Sequence, residues 1–121
     1  MSETLDYNEK YRRRTKKFAV SIIHFYAKYC KRTEELRIIG KQLLRSGTSV
    51  AANFRAVTRG RSLPDRFAKM CIVVEEIDET QFWFELIEEA ELLEPSTFND
   101  IKNEIDELVK IFTTSKANMK K

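Results

Sequence analysis

The sequence predicts an all-α fold, an antiparallel up-down-up-down four-helix bundle, and three observations carry that reading. Apolar residues recur at steps of three and four through most of the chain, which is the period of a helix with one buried face. Three glycines and two prolines in 121 residues leave few places where a helix must stop. No alternating apolar pattern of the kind a strand needs interrupts these runs. An amphipathic helix cannot bury its stripe alone, and four of them joined by short turns do so most economically as a bundle in one domain. An extended coiled coil is the main alternative.

The first helix is expected over about 9–31. Phe18, Ile22, Phe25 and Tyr29 share one face, widened by Ala19, Ile23 and Tyr26. Residues 1–8 lack the pattern and are expected to fray. A second helix is expected over about 34–59, with Thr33 as its cap and Glu34 and Glu35 in the first turn. Leu36, Ile39, Leu43, Gly47, Val50, Phe54 and Val57 form its stripe. Gly40 and Gly47 each cost about 1 kcal/mol against alanine inside a helix, so a closely packed neighbour is their expected reason.

Ser62, Pro64 and Asp65 mark the start of a third helix over about 63–93. Phe67, Met70, Val74, Ile77, Gln81 and Phe84 give its face, which Trp83, Ile87, Ala90 and Leu93 rotate towards the end. Pro95 breaks it. Ser96 is the expected cap of a fourth helix over about 97–115, with Phe98, Ile101, Ile105, Leu108 and Phe112 as its seam.

Composition excludes several functions. Apolar runs such as Cys71-Ile72-Val73-Val74 are far too short to span a membrane. The polar N-terminus has no apolar signal core, so a cytoplasmic protein is expected. Cys30 and Cys71 read as small buried hydrophobes, and His24 has no partner at ligand spacing. No metal site, cofactor or catalytic group is expected. The carboxylates of the third helix lack the Glu-x-x-His pairs of a di-metal bundle, and Ser46 and Ser49 have no neighbouring base. The chain is not expected to be an enzyme.

Charge points to a surface function. Residues 1–70 carry 17 Lys/Arg against 6 Asp/Glu, a net +11, and residues 71–121 carry 5 against 13, a net −8. The densest basic cluster is Lys10, Arg12, Arg13, Arg14, Lys16 and Lys17; Arg55 and Arg59 stand one turn apart on the second helix. Such a surface attracts phosphate backbones by counterion release, and these eight residues are the expected nucleic-acid contacts. The competing reading is a charged face that only pairs with acidic residues of the chain or of a neighbour. A structural polar contact is expected from Ser49 and Asn53 to Glu75, Asp78 and Glu79. Asn53 would be buried and bonded to the third helix, and Arg55 or Arg59 would pair with a carboxylate there.

Two runs carry a family resemblance: Leu43-Leu44-Arg45-Ser46-Gly47-Thr48-Ser49-Val50-Ala51-Ala52-Asn53-Phe54-Arg55-Ala56, and the stretch from Phe67-Ala68-Lys69-Met70 through Gln81-Phe82-Trp83-Phe84-Glu85-Leu86. The sequence resembles the four-helix-bundle proteins encoded in intervening sequences of bacterial 23S rRNA genes, and the related accessory proteins of diversity-generating retroelements. Many members have Ala-Glu-Gly after the Asn, where this chain has Arg55-Ala56-Val57. The resemblance implies a non-enzymatic bundle assembling as a homopentamer, and retroelement relatives imply binding to nucleic acid and to a reverse transcriptase. The first expectation is therefore a homo-oligomeric nucleic-acid-binding accessory protein. The alternative is a ring-forming scaffold with no nucleic-acid role.

Overall fold

The computed structural model describes the backbone of residues 3–119 and the side chains of residues 6–119. Four helices form the bundle: α1 (Glu3–Tyr29), α2 (Glu34–Thr58), α3 (Leu63–Glu89) and α4 (Asn99–Asn118), with a short 3-10 turn at Pro95–Thr97 before the last. Each helix packs on its neighbour in sequence, and α1 closes the bundle against α4. Thr33 and Ser62 cap as expected, accepting from the amides of Leu36 (3.1 Å) and Asp65 (3.2 Å).

Four boundaries differ from the expected ones, one of them the end of α4, which runs to Asn118 rather than about 115. Helix α1 begins at Glu3, so residues 3–8 are helical; residues 1 and 2 lie outside the described ones. Its stripe continues back from Phe18 through Thr15, Tyr11 and Tyr7. Thr15 is fully buried because its hydroxyl donates to the Tyr11 carbonyl at 2.7 Å. Tyr7 packs on Tyr11 at 4.7 Å between ring centroids and its hydroxyl bonds Ser115 Oγ on α4. Helix α3 stops at Glu89 rather than near residue 93. Glu91 takes a left-handed backbone (φ 55°), while the Leu92 amide reaches the Ile87 carbonyl (3.0 Å) and the Glu91 amide that of Glu88 (3.1 Å). This is a Schellman ending, with glutamate where glycine is usual. Ser96 does not cap α4. Pro95 starts the 3-10 turn, Ser96 lies exposed within it, and buried Phe98 occupies the cap position without a side-chain bond.

Apolar burial is continuous along the bundle axis. Tyr11, Phe54 and Phe112 meet at one end, with Phe54 and Phe112 5.3 Å apart. Phe25, Phe84 and Phe98 fill the other, at 5.1 and 6.1 Å. Small residues set the helix spacing. A Cβ on Gly40 would lie 2.5 Å from Cys30 Cβ, and one on Gly47 2.9 Å from Ile22 Cγ1, so α1 and the turn that follows it rest directly on the α2 backbone. Between α2 and α3, buried Ser46 and Thr80 bring their hydroxyls to 2.8 Å. Antiparallel packing has an electrostatic consequence. The start of α1, the end of α2 and the start of α3 share one end of the bundle, which gathers Arg12, Arg13, Lys16, Arg55, Arg59, Arg61 and Lys69.

Candidate functional site

At that basic end, α1 and α2 leave a cleft of about 440 Å³ lined by Glu9, Arg12, Arg13, Lys16, Ala51, Ala52 and Arg55. The helical period explains it. Glu9, Arg12, Arg13 and Lys16 fall on the α1 flank beside α2, and Ala51 and Ala52 on α2 are too short to fill the space between the helices. A second depression of about 670 Å³, between α2 and α3, is lined by Ala52, Ala56, Arg59, Gly60, Arg61, Asp65, Ala68 and Lys69. The two share Ala52, so a floor of small side chains with cationic walls crosses three helices.

The eight expected cationic residues therefore divide. Arg12, Arg13, Lys16 and Arg55 surround one cleft, and Arg59 lines the adjoining one. Arg14 turns away to α4. Its guanidinium grips Glu104 with two bonds (2.8 and 2.7 Å) and reaches Glu107 at 2.9 Å, and these carboxylates raise its pKa further above the ordinary arginine value. Lys10 and Lys17 stand four before and three after Arg14 and are exposed; the Lys10 ammonium lies 5.3 Å from the Tyr11 ring centre. Helical periodicity splits a cluster that is continuous in sequence over two flanks.

The expected polar contact is corrected. Asn53 is half-buried, and its amide donates to the carbonyl (3.0 Å) and hydroxyl (2.9 Å) of Ser49 within α2, not to α3. Glu75 and Asp78 are exposed. Among the described residues neither Arg55 nor Arg59 forms an ion pair. The α2–α3 polar link runs instead through Ser46–Thr80 and Arg45, which bonds Glu76 (3.0 Å) and Glu79. Glu79 also accepts from the Trp83 indole at 3.0 Å. That bond, followed by Arg45, holds its carboxyl below the ordinary glutamate value against the opposing effect of burial. Serine and threonine at 46 and 80 carry the cross-helix role because both are buried in the seam, each one position before a residue of the expected stripes, Gly47 and Gln81.

Sequence reasoning passed over Glu9. It accepts from Arg12 and from Arg13 Nε (2.7 Å), and it lines the groove between the guanidiniums. The signal was available, since Glu9 precedes Arg12 by three and Arg13 by four.

No described helix is long and apolar enough to cross a membrane. Among the described residues no group of three or more His, Cys, Asp or Glu is arranged to hold a metal ion.

The fold and groove define a four-helix bundle with a cationic cleft between its first two helices. A family model described as 23S rRNA-intervening sequence protein matches residues 8–114, and the chain belongs to that family. It is similar to the crystal structure, at 1.70 Å, of a protein with unknown function from the S23 ribosomal protein family of Bacteroides thetaiotaomicron. The two are 29% identical with a TM-score of 0.82, covering 92% of this chain and 98% of that one. No curated protein matches the chain.

Proposed function

We propose that this chain is a non-enzymatic cytoplasmic accessory protein that binds the phosphate backbone of nucleic acid through the α1–α2 groove. The convergence of Arg12, Arg13, Lys16 and Arg55 on a floor of Ala51 and Ala52 carries the reading. Guanidiniums suit phosphate oxygens, and phosphate contacts position a nucleic acid without reading its bases. No aromatic side chain lines the groove, so stacking contributes little and binding is largely independent of sequence. The test is fluorescence anisotropy with a labelled oligonucleotide across a salt series. Affinity should fall steeply with salt, by close to one unit of log–log slope per phosphate neutralised. Changing Arg12, Arg13, Lys16 and Arg55 to glutamine should flatten that slope. Absence of binding at about 50 mM salt would refute the reading.

A second reading, a homopentameric ring acting as a scaffold, has its own observation. On α1, Val20 and Ile23 are 44% and 45% exposed and continue the stripe of Lys16; on α3, Phe82 is 47% exposed within the acidic stripe of Glu75, Asp78, Glu85 and Glu89. These two faces are complementary in charge and both apolar at the centre, the arrangement of a head-to-tail interface. Light scattering should give about five times the 14.3 kDa chain mass, and Phe82→Ser should lower it while leaving the groove intact. Assistance to a reverse transcriptase rests on the resemblance to retroelement accessory proteins. Co-purification with a reverse transcriptase encoded beside the gene tests it.

A further inference from the structure

We propose that Glu9 is a built-in counter-ion of the groove, which a phosphate must displace before Arg12 and Arg13 can bind it. The inference rests on the reading of the groove as a phosphate site and adds its regulation. Among the described residues Glu9 is the one acidic side chain lining the α1–α2 cleft, and it also lines the adjoining space with Asn8, Arg12, Thr58 and Arg59. Its carboxylate occupies donors of both Arg12 and Arg13, while Lys16 and Arg55 form no ion pair among the described residues. Among the described residues the groove therefore holds two cations without an ion pair and two whose charge Glu9 partly offsets.

The same chemistry serves a different purpose elsewhere in α1, and the contrast is in burial. Arg14 is 23% exposed and Glu104 30%, and their two parallel bonds join two helices. Arg13 is 79% exposed and Glu9 43%, and their bond lies within one helix and joins nothing. Exposed pairs of this kind are weak and screened by salt, so exchange of a carboxylate for a phosphate costs little. A phosphate can bridge the two guanidiniums as the Glu9 carboxylate does, and it brings more acceptor oxygens. The result is anion exchange: low occupancy by isolated anions, and firm binding only where a polyanion presents several phosphates together.

The experiment compares wild type, Glu9→Gln, Glu9→Asp and Glu34→Gln. Glu34 pairs with Arg37 at spacing i,i+3 at the far end of α2, so it reproduces the local ion pair away from the groove. Each protein is titrated against a labelled single-stranded RNA of roughly 20 nucleotides, against the DNA of the same sequence, and against inorganic phosphate. Glu9→Gln should bind both oligonucleotides about 3- to 10-fold more tightly at moderate salt, through removal of one negative charge beside the phosphates. Its salt slope should steepen by up to about one unit. Glu9→Asp and Glu34→Gln should stay close to wild type. Equal affinity for RNA and DNA with weak inorganic phosphate identifies the polyanion backbone as the ligand; phosphate binding as tight as the oligonucleotides would overturn the exchange argument. If wild type binds and Glu9→Gln is unchanged or weaker, the counter-ion role is wrong and the groove reading stands. If neither binds, the groove reading itself falls.

Discussion

Gly40→Ala puts helix propensity and packing in direct opposition. By propensity alone an alanine at a mid-helix glycine stabilises by about 1 kcal/mol. In this fold the added Cβ would sit 2.5 Å from Cys30 Cβ and 2.9 Å from both Cys30 Sγ and Tyr26 Cδ1. Cys30 Cβ is fixed by its own backbone, so no rotamer change clears it, and α1 must shift away from α2. Overpacking of this kind costs up to about 3 kcal/mol. The net loss is then about 2 kcal/mol. With an unfolding entropy of roughly 0.25 kcal/mol/K for a chain of this length, Tm should fall by about 8 °C. Thermal denaturation followed by circular dichroism measures it. Ile22→Ala supplies the complementary arm, because it removes the Cγ atoms 2.9 and 3.1 Å from the Cβ position of Gly47. Gly47→Ala should destabilise less than Gly40→Ala in the wild type and turn stabilising in the Ile22→Ala background. A Gly40→Ala protein that melts at or above wild type would refute the claim that close approach, rather than chain flexibility, explains glycine at this position.

The remaining expectations concern other seams. Arg14→Gln should cost about 1–2 kcal/mol in urea denaturation and lower amide protection in the paired segments of α1 and α4, because Glu104 is left half-buried without its cation. Burial pushes the Cys30 thiol up to about 11 from its ordinary 9.0, so the folded protein keeps that proton where the unfolded chain releases it. Stability from Cys30 is complete below pH 9 and declines as pH rises towards 11, and at pH 8 a thiol reagent should reach Cys30 only after unfolding. Glu79 has the opposite sign: its lowered pKa adds stability above the ordinary glutamate range, and this is lost as acid protonates it. Glu79→Gln should flatten the acid limb of the stability curve, with Trp83 fluorescence as the reporter.

The helical stripes were legible because they follow one rule over many residues. Leu43, Val50, Phe54, Ile77, Phe84, Ile105, Leu108 and Phe112 were all placed on apolar faces, and all are fully buried. The ends were less legible because each depends on one local contest. Tyr7 and Tyr11 extend α1 into a segment rich in charge, where their phenols pack on Phe54 while the charged neighbours face water. Glu91 ends α3 in a conformation that usually advertises itself by glycine. The site was half legible: net charge located the basic end, and the period of α1 separates Arg12, Arg13 and Lys16 from Lys10, Arg14 and Lys17. What required coordinates was the partner of each cation. Arg14 and Arg45 are equally basic in sequence to Arg12 and Arg55, but only they stand opposite a carboxylate on the next helix. Asn53 shows the same limit from the other side, since an amide on a packed helix satisfies itself on its own previous turn as readily as across a seam.

Groove and assembly face meet at one residue, which decides how the two proposed activities are separated. Lys16 lines the cleft and also begins the exposed stripe that runs to Val20 and Ile23. A neighbour covering that stripe would place acidic residues of its α3 near the cleft wall, and Lys16 would answer both to a carboxylate and to a phosphate. Loss of binding in Lys16→Gln is then ambiguous, because a broken ring and a weakened phosphate contact look alike. Arg55 is free of that ambiguity: it approaches the cleft from α2, across the alanine floor from the stripe. Arg55→Gln should weaken binding at unchanged oligomeric state, and Phe82→Ser should change the oligomeric state with the single-subunit groove intact. If Phe82→Ser abolishes binding as fully as Arg55→Gln, affinity comes from repetition of weak grooves around a ring, where linked sites raise avidity without any new contact. If it leaves binding unchanged, one groove suffices, and the exposed apolar faces serve some end other than nucleic acid.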